Sequence, residues 1–359
     1  MHTILIDTGP AAGGGLRQAL ASSPMPRLSR LLRLAEMTHR EPAREDAEAA
    51  WLSPAERWMC TSLGLQAAHA AGPGSAMAGA KPDPAQAAPA PQRAPWGALA
   101  ALGAGQDLRG LAWGLALPVH LELGRESLSL ADPADLQITP DEARALLETV
   151  QPLLRDAGWL LDARDPARWL VAHASLAEVV TADPSRAVGR NVASWMPAGT
   201  PARAWRQLLT EVQMLWQYHP VNEARLARGQ CEVNTLWLHG CGSLPPDWRS
   251  PLRLAGEDDG MSDPALAAAL RGLAVLPRAG AVAPLRVFDL RALLSQDPVQ
   301  GLLALDARLS GAIAQALQQA GGVQLTLTGE KRWRTLQIRP LQAWKFWLRT
   351  DLPGMFSGL

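Results

Sequence analysis

The segment over residues 205–248 constrains the fold more than any other part of the chain. It concentrates histidines, glycines, tryptophans and uncharged polar residues, whereas the rest of the chain is dominated by alanine, leucine and proline. Its apolar spacing predicts a helix over 203–217. That helix must end before Pro220, because the residue before a proline is pushed out of helical geometry. A packed helix-to-strand unit does not need so many polar groups, so we expect a functional site here.

The residues after this helix predict a tight connection into a strand. Asn222 is suited to cap a short helix over 223–228, which Gly229 would close. An apolar strand over 233–238 follows. The Gly-x-Gly turn at 240–242 would leave backbone N–H groups exposed, and such groups can bind an anion.

Two interpretations of this segment remain open. In the first, Arg225, Arg228 and His239 converge with the exposed N–H groups on a phosphate or carboxylate. In the second, Asn222, Asn234 and His239 satisfy buried backbone groups in an irregular connection. The candidate ligand-binding residues are His219, Asn222, Arg225, Asn234, His239, Gly240 and Gly242.

Metal and nucleophile chemistry receive less support from the same segment. Residues of the types that bind zinc occur here, namely His219, Cys231, His239 and Cys241. Their spacing contains neither of the close cysteine or histidine pairs that structural zinc sites use. Cys241 could act as a nucleophile with His239 as its base, yet the sequence identifies no acidic residue to orient that histidine.

Composition excludes several classes of function. The 359-residue chain has a hydrophobic content of 48%, a charged content of 19% and a formal net charge of zero. A neutral chain has no electrostatic footprint for nucleic acid or an anionic membrane, so we expect neither partner. No apolar run long enough to span a membrane and no secretory signal occur. Together with only three cysteines, these features predict a cytoplasmic protein.

Four parts are expected along the chain. Residues 1–70 hold the N-terminal strand and helices of a core, and 71–95 form an Ala/Pro-rich linker or loop. The second of these parts cannot bury enough surface to offset its ordering entropy. Residues 97–200 predict an α+β module. Residues 201–359 carry the polar segment and a C-terminal α/β core, which ends in a tryptophan-rich helix.

Two predicted strands end in aspartate. A buried strand over 3–7 ends at Asp7, and an apolar strand over 285–288 ends at Asp289. In many α/β proteins, ligands bind at the carboxyl ends of such strands, so Asp7 is a weak candidate for a functional residue. Between the two strands, helices are expected over 16–70.

Other elements have clear local signals. Residues 139–142, Thr-Pro-Asp-Glu, predict the start of a helix with a capping box and a proline at its first position. An amphipathic helix is expected over 298–320. Strands are expected over 323–327 and 335–338.

The run HPVNEARLARGQCEVNTLWLHGCGSLP, which begins at His219, closely resembles a signature of proteobacterial proteins. Those proteins are described as RpfE-type regulatory proteins or as phosphoglycerate mutase-like. The resemblance covers about residues 110–350 and leaves out the first 100. His239 and Cys241 depart from it, because the family commonly has tryptophan and glycine at these positions.

The same segment is similar, more distantly, to archaeal-type cofactor-independent phosphoglycerate mutases. The residues that fall on a motif of those enzymes are Asn222, Arg225, Gly229, Asn234, Gly240 and Gly242. The resemblance implies a fold of the alkaline-phosphatase type. We therefore expect an α/β protein with a degenerate alkaline-phosphatase-like core sheet flanked by helices, and with an α+β inserted module.

The resemblance also indicates which chemistry is missing. Those mutases hold two divalent metal ions with Asp and His side chains, and the strand near Thr328 looks like the one that normally ends in T-x-D-H. Glu330 and Lys331 stand where Asp and His are expected, and a lysine is a cation where another cation must bind. Of the N-terminal metal ligands, only Asp7 would remain. We therefore expect no metal, no cofactor and no catalytic residue.

The favoured hypothesis is a non-catalytic, metal-free binding or regulatory protein of phosphoglycerate mutase-like ancestry. It would bind a phosphorylated or carboxylated small molecule at residues 219–242, or a protein partner. The alternative is a phosphoglycerate mutase- or phosphatase-type enzyme with an atypical site. A purely structural role for the segment is also open, because fold ancestry does not by itself give function.

Overall fold

The computed structural model describes residues 1–8, 25–33, 35–41, 51–65, 93–124, 127–165, 168–197, 202–255, 269–273, 278–290 and 298–339. The predicted linker over 71–95, apart from its last three residues, lies outside these ranges, and so does the predicted tryptophan-rich terminal helix. Within them the chain has a mixed α/β fold.

The strands are numbered in chain order. They are β1 (His2–Asp7), β2 (Ala35–Arg40), β3 (Trp113–Val119), β4 (Leu121–Leu123), β5 (Leu128–Leu130), β6 (Leu160–Asp162), β7 (Trp169–Ala172), β8 (Thr235–Gly242), β9 (Ser250–Leu254), β10 (Arg278–Asp289), β11 (Val323–Thr328) and β12 (Trp333–Ile338).

The α-helices are numbered in the same way. They are α1 (Pro26–Leu32), α2 (Pro54–Ser62), α3 (Trp96–Gly103), α4 (Pro140–Asp156), α5 (Arg203–Trp216), α6 (Pro220–Ala227) and α7 (Pro298–Ala320). No helix among the described residues is both long and apolar enough to cross a membrane.

The chain forms two compact units, and the second interrupts the first in sequence. Unit 1 comprises Met1–Leu63, Arg249–Ala267 and Pro277–Leu359, and unit 2 comprises Gly64–Trp248 and Ala268–Leu276. The polar segment therefore lies in unit 2. The predicted division grouped it with the C-terminal core instead. The difference arises because its contacts are with elements that precede it in the chain.

Unit 1 is built on a six-stranded mixed sheet in the order β2-β12-β11-β1-β10-β9. Strand β1 pairs in parallel with both β10 and β11, whereas β12 is antiparallel to β11 and to β2. The apolar run Ile4–Ile6 is fully buried, as is typical of a parallel strand covered on both faces. Helices α1 and α7 pack on one face of this sheet.

Helix α1 begins at a cap supplied from far along the chain. The Asp306 carboxylate on α7 accepts hydrogen bonds from the Leu28 N–H at 2.7 Å and from the Arg27 N–H at 3.3 Å. A carboxylate at this end satisfies free N–H groups and favours the helix dipole. The contact holds α1 in place against α7, and both helices contribute to the core of unit 1.

Unit 2 contains a four-stranded antiparallel sheet in the order β6-β7-β3-β8. Helices α4 and α5 pack on one face of it through a core rich in tryptophan. Helix α3 approaches β3 very closely, because a Cβ on Gly97 would lie only 2.5 Å from the Gly114 Cα. The absence of a side chain at Gly97 is therefore a requirement of this packing.

Several predicted elements are confirmed, and others need correction. The capping box at Thr139 and Glu142 is present, and helix α4 starts at Pro140 as predicted. The prediction of helices throughout 16–70 was wrong in one stretch, because β2 pairs there with β12. The predicted cap at Asn222 was also wrong, since α6 begins at Pro220 and the His219 side chain caps it.

The close approach at Gly97 can be tested with a matched pair of glycines. We expect Gly97→Ala to destabilise the protein by about 1–3 kcal/mol, because the methyl group would overlap the β3 backbone. Gly311 lies in α7 and has open space where a Cβ would be, so Gly311→Ala should stabilise it by about 0.5–1 kcal/mol. Urea unfolding measures both. Equal changes in the free energy of unfolding for the two substitutions would contradict the close approach of α3 to β3.

Candidate functional site

Helix α6 is capped by His219, the residue that directly precedes it. The His219 Nδ1 atom accepts the Val221 N–H at 3.2 Å, so it carries no proton in this structure. Burial holds the pKa of His219 below its ordinary value, although a hydrogen bond of the side chain with the backbone of Ala145 acts in the opposite direction. A neutral histidine acting as a helix cap offers no positive charge to an anion.

The two asparagines bind backbone groups. The Asn222 amide, which is buried, donates to the carbonyls of Trp216 and Val233 at 2.9 Å and accepts the Val233 N–H at 2.8 Å. The Asn234 amide accepts the Leu121 N–H at 2.8 Å and donates to the Leu121 carbonyl at 2.9 Å. Both side chains thus satisfy the backbone of an irregular connection, as the second interpretation of the segment describes.

Arg225 lies at the centre of a buried network and has no exposed surface. Its Nε donates to the Cys231 carbonyl at 2.7 Å, its Nη1 to Glu142 Oε2 at 2.8 Å and its Nη2 to the Leu136 carbonyl at 2.6 Å. Each guanidinium nitrogen is therefore bound to an acceptor from the protein. An anionic ligand at Arg225 would have to displace Glu142.

Glu142, on α4, forms ion pairs with both Arg225 and Arg228. Its Oε1 accepts a hydrogen bond from Arg228 at 2.6 Å, and its Oε2 also accepts the Thr139 N–H at 3.0 Å. Burial alone would raise the pKa of Glu142. The Thr139 hydrogen bond and the two guanidinium charges outweigh burial and hold the pKa below its usual range. The carboxylate is thus ionised and neutralises Arg225.

His239 lies in a different environment, on β8. It is 1% exposed, and its Nδ1 is 3.8 Å from the Asp183 Oδ2. Neither ring nitrogen has a hydrogen-bond partner among the described residues. Burial lowers the pKa of His239 to about 4, with Asp183 opposing the shift and Arg168 adding to it. The imidazole is therefore neutral at physiological pH.

Gly240 and Gly242 lie within the buried strand β8, so the predicted turn at 240–242 with exposed N–H groups was wrong. The two glycines allow close packing by the start of α3. Gly240 has a positive φ of 62°, and a Cβ there would lie 3.0 Å from the Trp96 Cβ. A Cβ on Gly242 would lie 3.0 Å from the Pro95 Cβ. Their backbone is thus covered by α3. The candidate residues do not converge on one point: Arg225 meets Arg228 at Glu142, whereas His239 faces Asp183.

The cysteines give no support to a nucleophile or a metal site in this unit. Cys241 is buried, and burial raises the pKa of its thiol to about 12. Cys231 is exposed. In the part of the chain that the structure describes, no group of three or more His, Cys, Asp or Glu side chains is placed to hold a metal ion.

A second set of polar residues lies at the carboxyl edge of the unit 1 sheet. Asp7 is directly opposite Asp289 on β10 and Thr328 on β11, and all three are buried. The Thr328 hydroxyl donates to Asp7 Oδ1 at 2.9 Å, and the Thr8 hydroxyl donates to the Thr328 carbonyl at 2.9 Å. Sequence reasoning found both strand-ending aspartates but not that they lie side by side. The presence of an aspartate at the end of two predicted strands was the signal that could have indicated this pair.

Substituting Arg225 tests whether its charge holds unit 2 together. We expect Arg225→Met to destabilise the protein by about 3–5 kcal/mol, because Glu142 and two carbonyls would lose their buried partner. Arg228 binds the same carboxylate from a half-exposed position, so Arg228→Met should cost less than about 1 kcal/mol. Chemical unfolding distinguishes the two, and equally small losses would show that the buried network of Arg225 does not stabilise unit 2.

The lowered pKa of His239 predicts a pH dependence of stability. The unfolded chain takes up a proton near pH 6.5, whereas folded His239 does so only near 4. Its contribution is therefore fully present above pH 6.5 and is lost as the pH falls towards 4. His239→Gln should flatten this part of the stability profile, measured by unfolding at each pH. The exposed His39 supplies the control, and an equal flattening by His39→Gln would contradict the assignment.

Comparison with known proteins gives distant matches, and no family model matches the chain. A 2,3-bisphosphoglycerate-independent phosphoglycerate mutase of Methanosarcina barkeri is 28% identical over 129 residues, which cover 35% of this chain. The match spans 31% of that protein, or about a third of its length.

Two solved structures align with most of the chain at low identity. The PH0037 protein from Pyrococcus horikoshii gives a TM-score of 0.48 at 13% identity and covers 94% of this chain and 87% of that one. A cofactor-independent phosphoglycerate mutase from Thermoplasma acidophilum gives a TM-score of 0.41 at 15% identity and covers 100% of this chain and 96% of that one. Through the sequence match, the chain is distantly similar to cofactor-independent phosphoglycerate mutases.

Proposed function

We propose that this protein is a metal-free, non-catalytic binding or regulatory protein of phosphoglycerate mutase-like ancestry. The observation that supports this most directly is the hydrogen bond from Thr328 to Asp7 at 2.9 Å. Asp7 is the one N-terminal metal ligand that the resemblance leaves in place. Here one of its oxygens accepts a structural hydrogen bond that joins β1 to β11.

The turn after β11 supports the same proposal. Thr328 is followed by Glu330 and Lys331, where the resemblance to the mutases expects Asp and His. The Gly329 N–H donates to the Arg332 carbonyl at 3.2 Å, so these residues form a tight reversal into β12. Lys331 adds a positive charge in the turn after β11, the strand that pairs with β1. This charge disfavours the binding of a metal cation nearby.

The regulatory part of the proposal comes from the resemblance to RpfE-type proteins. The ligand would be a phosphorylated or carboxylated small molecule, or the partner would be another protein. The contacts of residues 219–242 favour a structural role for that segment, because Arg225, Asn222 and Asn234 are all bound to groups of the protein. Binding at this segment would require those contacts to break.

An enzyme with an atypical site is a second candidate, and one observation favours it. Asp7 and Asp289 lie opposite each other at the carboxyl edge of parallel strands, with exposures of 7% and 2%. Two neighbouring carboxylates are suitable ligands for a divalent cation. This candidate requires metal binding, whereas the favoured proposal does not.

Metal binding therefore decides between the two candidates. We expect the purified protein to contain no stoichiometric Mn²⁺ or Zn²⁺ by elemental analysis, and its thermal midpoint to be unchanged by Mn²⁺. Asp7→Asn is the control, because an amide oxygen can still accept the Thr328 hydroxyl but binds metal more weakly. Two equivalents of metal, with a Mn²⁺-dependent stabilisation that Asp7→Asn removes, would support the enzyme and overturn the favoured proposal.

A further inference from the structure

Three arginines cluster where β2 and β12 meet in unit 1. Arg40, the last residue of β2, is directly opposite Arg334 of β12. Arg332 precedes Arg334 by two residues. Arg334 is only 8% exposed, whereas Arg332 is half-buried and Arg40 is exposed. One buried guanidinium is thus accompanied by two more accessible ones.

The positive charges in this cluster act on one another. Burial lowers the pKa of Arg334 first, and the charges of Arg332 and Arg40 lower it further. The pKa of Arg332 is likewise lowered by burial and then by Arg40. Like charges opposite each other on neighbouring strands destabilise a sheet. A bound negative charge would reduce this repulsion.

The carboxylate of Glu41, the residue that directly follows β2, is bound to another arginine. Glu41 accepts two hydrogen bonds from Arg57, from Nε at 3.2 Å and from Nη2 at 3.0 Å. Arg332 and Arg334 also have interactions with other groups of the protein. A bound anion would interact with these arginines in addition to those groups.

We propose that Arg40, Arg332 and Arg334 form a binding site for an oxyanion of the phosphate class, free or as part of a small metabolite. Guanidinium groups present planar forks of N–H donors that match the oxygens of phosphate. The site gives the proposed binding function, on which this inference rests, a location in unit 1 rather than at residues 219–242.

Inorganic phosphate is the probe for this site. We expect saturable binding of phosphate by calorimetry, in EDTA and at constant ionic strength, so that metal and general screening do not contribute. Arg40→Gln should weaken the affinity about tenfold or more, because a charged hydrogen-bond donor to the anion is lost. Arg339, an exposed arginine just beyond the other end of β12, supplies the control, and Arg339→Gln should leave the affinity unchanged.

The stability of the phosphate-free protein gives a second readout. If Arg40 is held near two other cations, Arg40→Gln should raise the thermal midpoint in phosphate-free buffer, because it removes repulsion. A lowered midpoint would show that Arg40 is a structural ion-pair partner, and it would overturn the site. Because Arg40 is exposed, this variant should fold even where a substitution of the buried Arg334 does not.

The outcomes separate this site from the proposed function. Phosphate binding that is weakened by Arg40→Gln in a metal-free protein supports both. Absence of phosphate binding, or binding indifferent to Arg40→Gln, overturns the site and leaves the metal-free proposal in place. Arginine-dependent binding in a protein that also holds two metal equivalents overturns only the metal-free proposal. Phosphate binding that is seen only when EDTA is left out, and that Arg40→Gln does not change, overturns both.

Discussion

The burial of the Arg225 charge is the constraint on which unit 2 depends. A guanidinium with no exposed surface is tolerated only when its charge and its hydrogen bonds are compensated. Glu142 supplies the charge from the first turn of α4, and two loop carbonyls supply the remaining acceptors. Helices α4 and α6 and the loop before β8 must therefore form together. The polar density of this part of the chain follows from that requirement.

Local signals in the sequence predicted what depends on local physics. The capping box at Thr139 and Glu142 needs only residues three apart, and it was found from the sequence. The second role of Glu142, as the partner of Arg225, joins residues 83 apart and has no local signature. The cap at His219 was missed, because Pro220 was interpreted only as ending the preceding helix and Asn222 was predicted as the cap, whereas proline also favours the first helical position.

Strand β2 shows how tertiary pairing outweighs local pattern. Ala35–Arg40 alternates apolar and polar residues only over its first four positions, and most of its side chains are exposed. It is a strand because β12, almost 300 residues later, offers an unpaired edge. Long-range strand pairing likewise places Asp7 beside Asp289 and Arg40 beside Arg334. Neither the carboxylate pair nor the arginine cluster could be assembled from the sequence without that pairing.

The register also bears on chemistry at the carboxyl edge of the unit 1 sheet. Asp7 and Thr328 occupy one row, and Leu327 and Arg334 occupy the preceding row, so the pleat directs their side chains to opposite faces. In a two-metal phosphoryl-transfer site, metal ions and phosphate must be in direct contact. A metal at Asp7 and an oxyanion at Arg334 would instead be separated by the sheet. An anion bound by the arginines would therefore be held without being attacked, as the binding function requires.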